Sequence, residues 1–326
     1  MSLDAGELMS AAGLLVPAAG GWEHIFMGDD PESSFEDETA QCLSQFASLF
    51  DIADKPGEEV GHANWGSEDY VHTIREGEGQ AGIVTLNIEQ TVVPQTAGVV
   101  WDGAVGLCYF LEAHPSLVRG QRVLELGCGT GLPGLVAAVL GASHVLLTEM
   151  DDPVCLACAQ ASVARNADAL RQATVSRSGN EPQLTVAALN WGETLPASVT
   201  GAGVDVIIAA DVLGASSDSM TPDTPTGPFA MLLRTLLEFS RLPSPPKAIL
   251  IAYKRRLTYR EQPFFAKLAQ HFKVTVWPVG GNGGTGCATS DGDGERRQLR
   301  DIWVVGLEFH GQQKVQSAAG VVAADG

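Results

Sequence analysis

The chain has 326 residues, of which 45% are hydrophobic and 18% charged, and its net charge is −19. This composition can bury one large core or two small ones, and no apolar run reaches the roughly 18 residues that a membrane span needs. Asp4 and Glu7 stand where a secretory signal carries positive charge, so we expect a soluble protein of the cytoplasm, with the nucleus as a second compartment. The six cysteines have neither disulfide nor zinc-site spacing, which predicts reduced thiols and no bound metal.

The negative charge is concentrated in the N-terminal part of the chain. Residues 1–95 carry 18 acidic side chains against only Lys55 and Arg75, whereas the rest of the chain is close to neutral. This distribution has no basic footprint for phosphates, so we expect no nucleic-acid partner. Residues 1–65 are predicted to form an acidic, partly disordered extension, in which PESSFEDE (31–38) is a solubilising stretch or, alternatively, a docking site for a basic partner.

Strand and helix signals begin at residue 83. IVTLNI (83–88) alternates apolar and polar residues, as in a half-buried strand, and from Trp101 onward helices and strands alternate. Asp152 and Pro153 form an N-cap and first-turn pair for one helix. The predicted helices are VGLCYFLEAH (105–114), LPGLVAAVLG (132–141), VCLACAQASVARNA (154–167), FAMLLRTLLEFSRL (229–242) and REQPFFAKLAQHF (260–272). The predicted strands are RVLELG (122–127), HVLLTE (144–149), LTVAAL (184–189), VDVIIAA (204–210), KAILIAY (247–253), KVTVWPV (273–279) and DIWVVGLEF (301–309).

The repeated strand-helix units predict an α/β fold. Its sheet should be mainly parallel and covered by helices on both faces. The last two predicted strands have no helix between them, which indicates an antiparallel pair. The domain is predicted to span residues 66–310, with a low-complexity mobile loop at 280–298 and a disordered tail at 311–326.

The segment VLELGCGTG (123–131) joins a buried strand to a helix, which is where open α/β sheets bind ligands. The spacing of Gly127, Gly129 and Gly131 suits a ligand that lies close to the backbone, but the run from Gly129 onward also matches the G-x-G-x-x-G pattern of nicotinamide enzymes. Glu125 favours a cationic ligand, because a carboxylate so near would crowd a pyrophosphate and would suit an ammonium and a sulfonium, as in S-adenosylmethionine. Alternatively, Glu125 is a strand-end carboxylate that accepts hydrogen bonds from nearby amides.

Two further strand ends carry side chains suited to a nucleoside. Glu149 ends the second strand of the alternating region, at about the spacing where an acid accepts both hydroxyls of a ribose, in NAD or in S-adenosylmethionine. Its alternative role is a negative charge at the start of the following helix. Asn190 and Trp191 end the third strand, where the amide would bond the edge of an adenine and the indole would flank it. The alternative for Trp191 is a core tryptophan.

Five motifs follow one another along the chain: VVWDGA (99–104), VLELGCGTGLPGLVAAVLGA (123–142), HVLLTEMD (144–151), LNWG (189–192) and IIAADV (207–212). This succession resembles the seven-strand class I methyltransferases, and among them the methyltransferase-like group of protein-lysine methyltransferases. The resemblance implies a doubly wound, Rossmann-like, seven-stranded sheet with an antiparallel last strand, and S-adenosylmethionine as cofactor. It also implies cofactor contacts from the following residues: Trp101, Gly127, Cys128, Gly129, Glu149, Trp191 and Ala210.

The same group carries an acid after strand four, followed three residues later by an aromatic, near the target amine. Here the acid is Asp211, but the aromatic position holds Gly214. After strand five the group has an aromatic with charged residues, similar to AYKRR, in which Lys254 stands where an acid is common. The resemblance implies that Asp211 orients an uncharged lysine amine, or accepts its proton through water, during in-line displacement of the sulfonium methyl.

Two other classes of function stay open at the level of sequence. A nicotinamide-dependent oxidoreductase explains the glycines and Glu149, but it leaves Glu125 unexplained and offers no hydride-transfer acid or base. A methyltransferase fold that serves as a non-catalytic interaction module would explain Gly214. Within the enzyme interpretation, histidine and small-molecule acceptors remain beside a protein lysine. The expected partner is a protein substrate, with no membrane, and the expected state is a monomer.

Overall fold

The structure, a computed structural model, describes residues 69–75, 83–91, 97–178, 183–201, 203–213, 227–254, 258–279 and 302–309. These residues belong to two compact units. The larger unit contains the described residues from 69 to 254 together with 277–279 and 302–306, and the described part of the smaller unit is 258–276 and 307–309. The predicted extension 1–65, loop 280–298 and tail 311–326 lie outside the described residues.

The described elements follow the predicted alternation of strands and helices. The strands are β1 (Tyr70–Arg75), β2 (Ile83–Ile88), β3 (Arg122–Leu126), β4 (His144–Glu149), β5 (Gln183–Ala188), β6 (Val206–Ala210), β7 (Ala248–Lys254), β8 (Phe272–Pro278) and β9 (Ile302–Phe309). The helices are α1 (Asp102–Ala113), α2 (Leu132–Val139), α3 (Pro153–Arg165), α4 (Ala167–Ser178), α5 (Ala197–Thr200), α6 (Pro228–Ser240) and α7 (Thr258–His271), with a 3-10 turn at Pro115–Leu117.

Seven strands form one sheet in the order β5-β4-β3-β6-β7-β9-β8. The neighbours from β5 to β7 are parallel, whereas β9 is antiparallel to β8, since the Val279 amide donates to the Ile302 carbonyl over 3.0 Å. The predicted seven-stranded, mainly parallel sheet with an antiparallel last strand is therefore confirmed. Because β3 lies between β4 and β6, the chain changes direction across the sheet at β3, and the carboxyl ends of these strands share one edge.

The central strands are buried on both faces. Val123, Leu124 and Leu126 of β3 are at most 2% exposed, and successive residues of a strand point to opposite faces. Helices must therefore cover both sides of the sheet, as parallel sheets require. All eight residues of α2 are buried, which is why LPGLVAAV is apolar all round.

Three described helices or strands were not predicted: β1, α4 and the four-residue helix α5. The predicted strand β2 is confirmed, with Leu86 and Ile88 buried, but it pairs antiparallel with the unpredicted β1 in a separate two-stranded sheet. Helix α4 begins directly after α3, at a junction where Asn166 exchanges hydrogen bonds of 2.8 and 2.9 Å with the Asn87 backbone. None of the described helices combines the length and the apolarity that crossing a bilayer demands.

Candidate active site

The loop between β3 and α2 is built on left-handed glycines. Gly127, Gly129 and Gly131 have φ values of 61°, 51° and 76°, a region that costs other residues about 1 kcal/mol or more. The loop is closed by a hydrogen bond of 2.7 Å from the Gly131 amide to the Cys128 carbonyl, and the Cys128 amide donates to the Thr148 carbonyl of β4 over 2.9 Å. The glycines thus turn the chain sharply at the edge of the sheet.

Glu149 lies at the end of β4, directly against this loop. Its Oε2 accepts a hydrogen bond of 2.8 Å from the Gly129 amide, and its Oε1 accepts one of 2.9 Å from the Met150 amide. Burial raises the pKa of this carboxyl, whereas the two amide bonds lower it. Each carboxylate oxygen has a second lone pair, so the group can accept further hydrogen bonds from a ligand.

The end of β5 completes this side of the loop. A Cβ atom on Gly127 would lie 3.0 Å from Cζ2 of Trp191 and 3.2 Å from Cγ1 of Val212, so Gly127 sits between the ends of β5 and β6. Asn190 is exposed, and its Oδ1 accepts the Asp151 amide over 2.9 Å. The side chain of Asn190 therefore ties β5 to the end of β4, and its predicted bond to an adenine stays a prediction.

The structure places Glu125 inside the protein. Glu125 is only 1% exposed, and its Oε2 accepts a hydrogen bond of 2.8 Å from the amide of Gly134 in α2. Burial raises the pKa of this carboxyl to about 8. The geometry favours the alternative interpretation, a strand-end carboxylate bonded to a nearby amide, over a carboxylate presented to a cationic ligand. The predicted contact with the cofactor stays a prediction.

Cys128 contributes to the loop through its main chain. The residue is 6% exposed, and burial raises the pKa of its thiol well above the usual range. A neutral, buried thiol packs as a small apolar group. Among the described residues, no three His, Cys, Asp or Glu side chains are grouped so that they could hold a metal ion.

Asp211 follows β6 at the other side of the loop. Among the described residues it is the one non-glycine residue with a left-handed backbone, at φ 53°. Its Oδ2 accepts the Gly103 amide over 2.7 Å, and its Oδ1 accepts the Lys254 amide over 3.3 Å. Asp211 therefore caps the start of α1, since the N-cap residue Trp101 has no side-chain acceptor.

Trp101 and Ala210 are partly buried beside this cap. Trp101 directly precedes the first residue of α1, and Ala210 is the last residue of β6, paired with Ala252 of β7. The segment before Trp101 reaches the glycine loop, because a Cβ atom on Gly129 would lie 3.0 Å from the Ala97 carbonyl oxygen. The predicted residues thus lie near the carboxyl ends of the parallel strands. Gly214 lies outside the described residues.

Sequence reasoning missed one pair of charged residues at this edge. Lys254, the last residue of β7, forms an ion pair with Asp102, the first residue of α1, and both side chains are buried. The available signal was one charged residue at the end of each of two apolar stretches, VVWD and AILIAYK. Their opposite charges could have suggested the contact, but not the order of strands that creates it.

Comparison with known proteins places the chain in a family. Residues 82–271, more than half of the chain, match the family profile described as lysine methyltransferase. Protein N-lysine methyltransferase METTL21A of Danio rerio is 36% identical over 178 residues, which are 55% of this chain and 69% of that protein. EEF1A lysine methyltransferase 3 of Mus musculus is 33% identical over 181 residues, 55% of this chain and 66% of that protein. The solved METTL16 MTase domain has a TM-score of 0.41 and 14% identity, covering 69% of this chain and 74% of that one. The chain belongs to the lysine methyltransferase family.

Proposed function

We propose that the protein uses S-adenosylmethionine to methylate a lysine side chain of a protein substrate. The observation that carries the proposal is the hydrogen bond of 2.8 Å from the Gly129 amide to Glu149 Oε2. It joins the glycine loop after β3 to the acid at the end of β4, the two features with which an α/β sheet holds a nucleoside. Membership of the family decides against the nicotinamide oxidoreductase.

The residues of this edge fit the cofactor. Glu149 keeps acceptor capacity on both oxygens, which suits the two hydroxyls of a ribose. Trp191 lies beside Gly127 and is partly buried, so its ring can flank a planar base. At Gly127 and Gly129 any side chain would meet Trp191 or the Ala97 carbonyl at 3.0 Å, so the loop needs glycine at both positions.

When bound, S-adenosylmethionine would supply a methyl group on a positively charged sulfur. The task left to the protein is to present a neutral amine in line with that group. A free lysine has a pKa of about 10.4, so deprotonation at pH 7 costs about 4 to 5 kcal/mol. Asp211 is the carboxylate at the acceptor side, and its two amide bonds hold it in one orientation, from which it can align the amine or take its proton through water.

The proposed acceptor class rests on the relatives. METTL21A is named as a protein N-lysine methyltransferase, and the Mus musculus relative as an EEF1A lysine methyltransferase. Both matches cover 55% of this chain, and the family profile matches residues 82–271, which include the glycine loop. We therefore propose a protein lysine as the acceptor, in preference to a histidine or a small molecule.

Calorimetric titration with S-adenosylmethionine, S-adenosylhomocysteine and NAD tests the cofactor. We expect binding of the first two ligands, no binding of NAD, and loss of binding in Glu149→Ala and Gly129→Arg. Glu238→Gln serves as the matched control, because Glu238 pairs with Arg241 on the surface of α6. Absence of binding by folded wild-type protein would leave the interaction-module interpretation in first place.

Methyl transfer tests the acceptor. The protein is incubated with tritiated-methyl S-adenosylmethionine and a desalted protein extract, and the labelled proteins are hydrolysed to amino acids. Methylated lysine in the hydrolysate supports the proposal. Label confined to methylhistidine, or to small molecules, would contradict the proposed acceptor while leaving the cofactor proposal intact.

A further inference from the structure

The buried ion pair between Lys254 and Asp102 has no place in the functions assigned so far. Their side chains are only 7% and 4% exposed. The free energy needed to move two charged groups out of water can exceed the free energy that their attraction returns. A buried ion pair is therefore weak evidence for stability. What needs explanation is its location at the edge of the sheet that carries the candidate active site.

The pair joins a strand end to a helix start. Lys254 ends β7, and Asp102 begins α1 immediately after Trp101. Helix α1 packs against β6 and β7, so its first turn can approach the ends of both strands. The ammonium of Lys254 is a side-chain link between this turn and β7.

Asp211 closes a set of contacts around the pair. Its Oδ2 accepts the Gly103 amide at 2.7 Å, its Oδ1 accepts the Lys254 amide at 3.3 Å, and its own amide donates to the Ala252 carbonyl at 3.0 Å. Asp211 therefore connects the start of α1 with the carboxyl ends of β6 and β7. A displacement of the first turn of α1 would move the Gly103 amide away from Asp211.

The contact between α1 and Asp211 leaves little free space. A Cβ atom on Gly103 would lie 2.6 Å from Cγ of Asp211 and within 2.9 Å of both carboxylate oxygens. The carboxylate thus rests directly on the helix backbone, and its orientation follows the position of the helix. Small displacements of a reacting group cost much of the rate, about a hundredfold for 1 Å.

We propose that Lys254 is a positioning residue for the methyl-acceptor side of the site. Its ion pair with Asp102 holds the first turn of α1 where the Gly103 amide orients the Asp211 carboxylate. The inference rests on the proposed function, in which Asp211 aligns the acceptor amine. In this role Lys254 acts through Asp102.

The test uses the full-length chain and removes both charges together. Asp102→Asn/Lys254→Met leaves no unpaired buried charge, so it should fold. Replacing only one of the two residues would leave the other charge buried without its partner. Lys254→Arg keeps the pair. Lys247→Met is the matched control, because Lys247 pairs with Asp205 at 3.3 Å before β7, at the opposite edge of the sheet, and its side chain is 67% exposed.

Three quantities are measured for each variant: the unfolding temperature, the Kd for S-adenosylhomocysteine, and the initial rate of methyl transfer from S-adenosylmethionine to a desalted protein extract. In the double variant we expect a Kd within about twofold of wild type, an unchanged KM for S-adenosylmethionine, and an apparent maximal rate lower by about tenfold or more. Lys254→Arg should recover most of the rate, and Lys247→Met should match wild type.

Several results would overturn the positioning role: an unchanged rate in the double variant, a Kd that weakens in proportion to the rate, or an equal loss in Lys247→Met. Asp102→Glu decides the matter if the double variant does not fold, because it keeps both charges and displaces the carboxylate by one methylene. An unchanged rate in Asp102→Glu also contradicts the proposal.

Failure of the proposed function would look different. Wild-type protein would then bind neither S-adenosylmethionine nor S-adenosylhomocysteine. Hydrogen exchange at residues 102–107 tests the ion pair independently of any ligand. The double variant should exchange faster in this stretch than Lys247→Met, and equal exchange rates would show that Lys254 does not hold the first turn of α1.

Discussion

Glu125 Oε2 accepts a hydrogen bond of 2.8 Å from the backbone amide of Gly134, nine residues further along the chain. The Gly134 amide, in the first turn of α2, needs such an acceptor because the N-cap residue Gly131 has no side chain to supply one. The carboxyl group of Glu125 on β3 thus caps α2 as Asp211 caps α1. Helices α1 and α2 are therefore both capped by acids that lie in or directly after a strand of the sheet.

The Glu125 cap should make stability depend on pH. Burial raises the folded-state pKa of Glu125 to about 8, above its ordinary value of 4.5. The folded protein therefore holds a proton that the unfolded chain releases between these values, and stability falls as pH rises from about 5 to about 8. Glu125→Gln has no titrating group at this position. Its free energy of unfolding should therefore rise relative to that of wild type by about 1.4 kcal/mol per pH unit in this range.

Urea unfolding of wild type and Glu125→Gln between pH 5 and pH 8 checks this expectation. Glu193→Gln, at an exposed carboxyl, is the control and should keep a constant difference from wild type. Parallel curves for wild type and Glu125→Gln would show that Glu125 does not exchange its proton in this range.

Glu149→Gln should weaken cofactor binding. An amide nitrogen would replace one of the oxygens that accept the Gly129 and Met150 amides, so the loop would lose a hydrogen bond and gain an unsatisfied donor. We expect the Kd for S-adenosylhomocysteine to rise about tenfold or more, which corresponds to about 1.4 kcal/mol. Calorimetric titration measures the Kd of Glu149→Gln and of the control Glu238→Gln. Equal affinities would show that Glu149 does not contribute to cofactor binding.

Asp205→Asn should lower stability at neutral pH without changing cofactor binding. The Arg122 guanidinium bonds Asp205 at 2.8 Å and holds the pKa of that carboxyl well below its usual range, at the edge of the sheet opposite the site. Arg122 is 40% exposed, so we expect a loss of about 1 to 2 kcal/mol.

The stability from Asp205 is present above the unfolded pKa of about 3.9 and disappears as pH falls below it. Wild type and Asp205→Asn should therefore converge in free energy of unfolding toward pH 2. A difference that does not shrink between pH 4 and pH 2, or a changed Kd for S-adenosylhomocysteine, would contradict the assignment of Asp205 to its ion pairs with Arg122 and Lys247.

Gly134→Ala should destabilise the protein although alanine favours helices. Its Cβ would lie 2.2 Å from Cδ2 of the buried Leu147 and 2.7 Å from Glu125 Oε2. Helix propensity alone predicts a gain of about 1 kcal/mol, whereas overpacking predicts a loss of about 1 to 3 kcal/mol. Urea unfolding decides the sign, and Gly134→Ala/Leu147→Val should recover part of the loss because it removes the obstructing methyl.

The sequence by itself predicted the elements that depend on local chemistry. Apolar runs of strand length located all seven strands of the large sheet, and Asp152 before Pro153 marked the start of α3, where its Oδ1 accepts the amides of Val154 and Cys155 at 2.8 and 3.1 Å. These signals are readable because the interacting groups lie within one turn of each other. The glycine loop and Glu149 were predicted from their positions at the ends of two such apolar runs.

The tertiary structure alone decided which groups the acids Glu125, Asp102 and Asp211 bind. Asp211 accepts the amide of Gly103, 108 positions earlier, and Lys254 pairs with Asp102 across 152 positions. No local pattern encodes these contacts, because they exist only once β3, β6 and β7 stand side by side with α1 across their ends. Glu125 is the sharpest case: its position in the sequence suggested a ligand, whereas the direction of its side chain on β3 places it under α2.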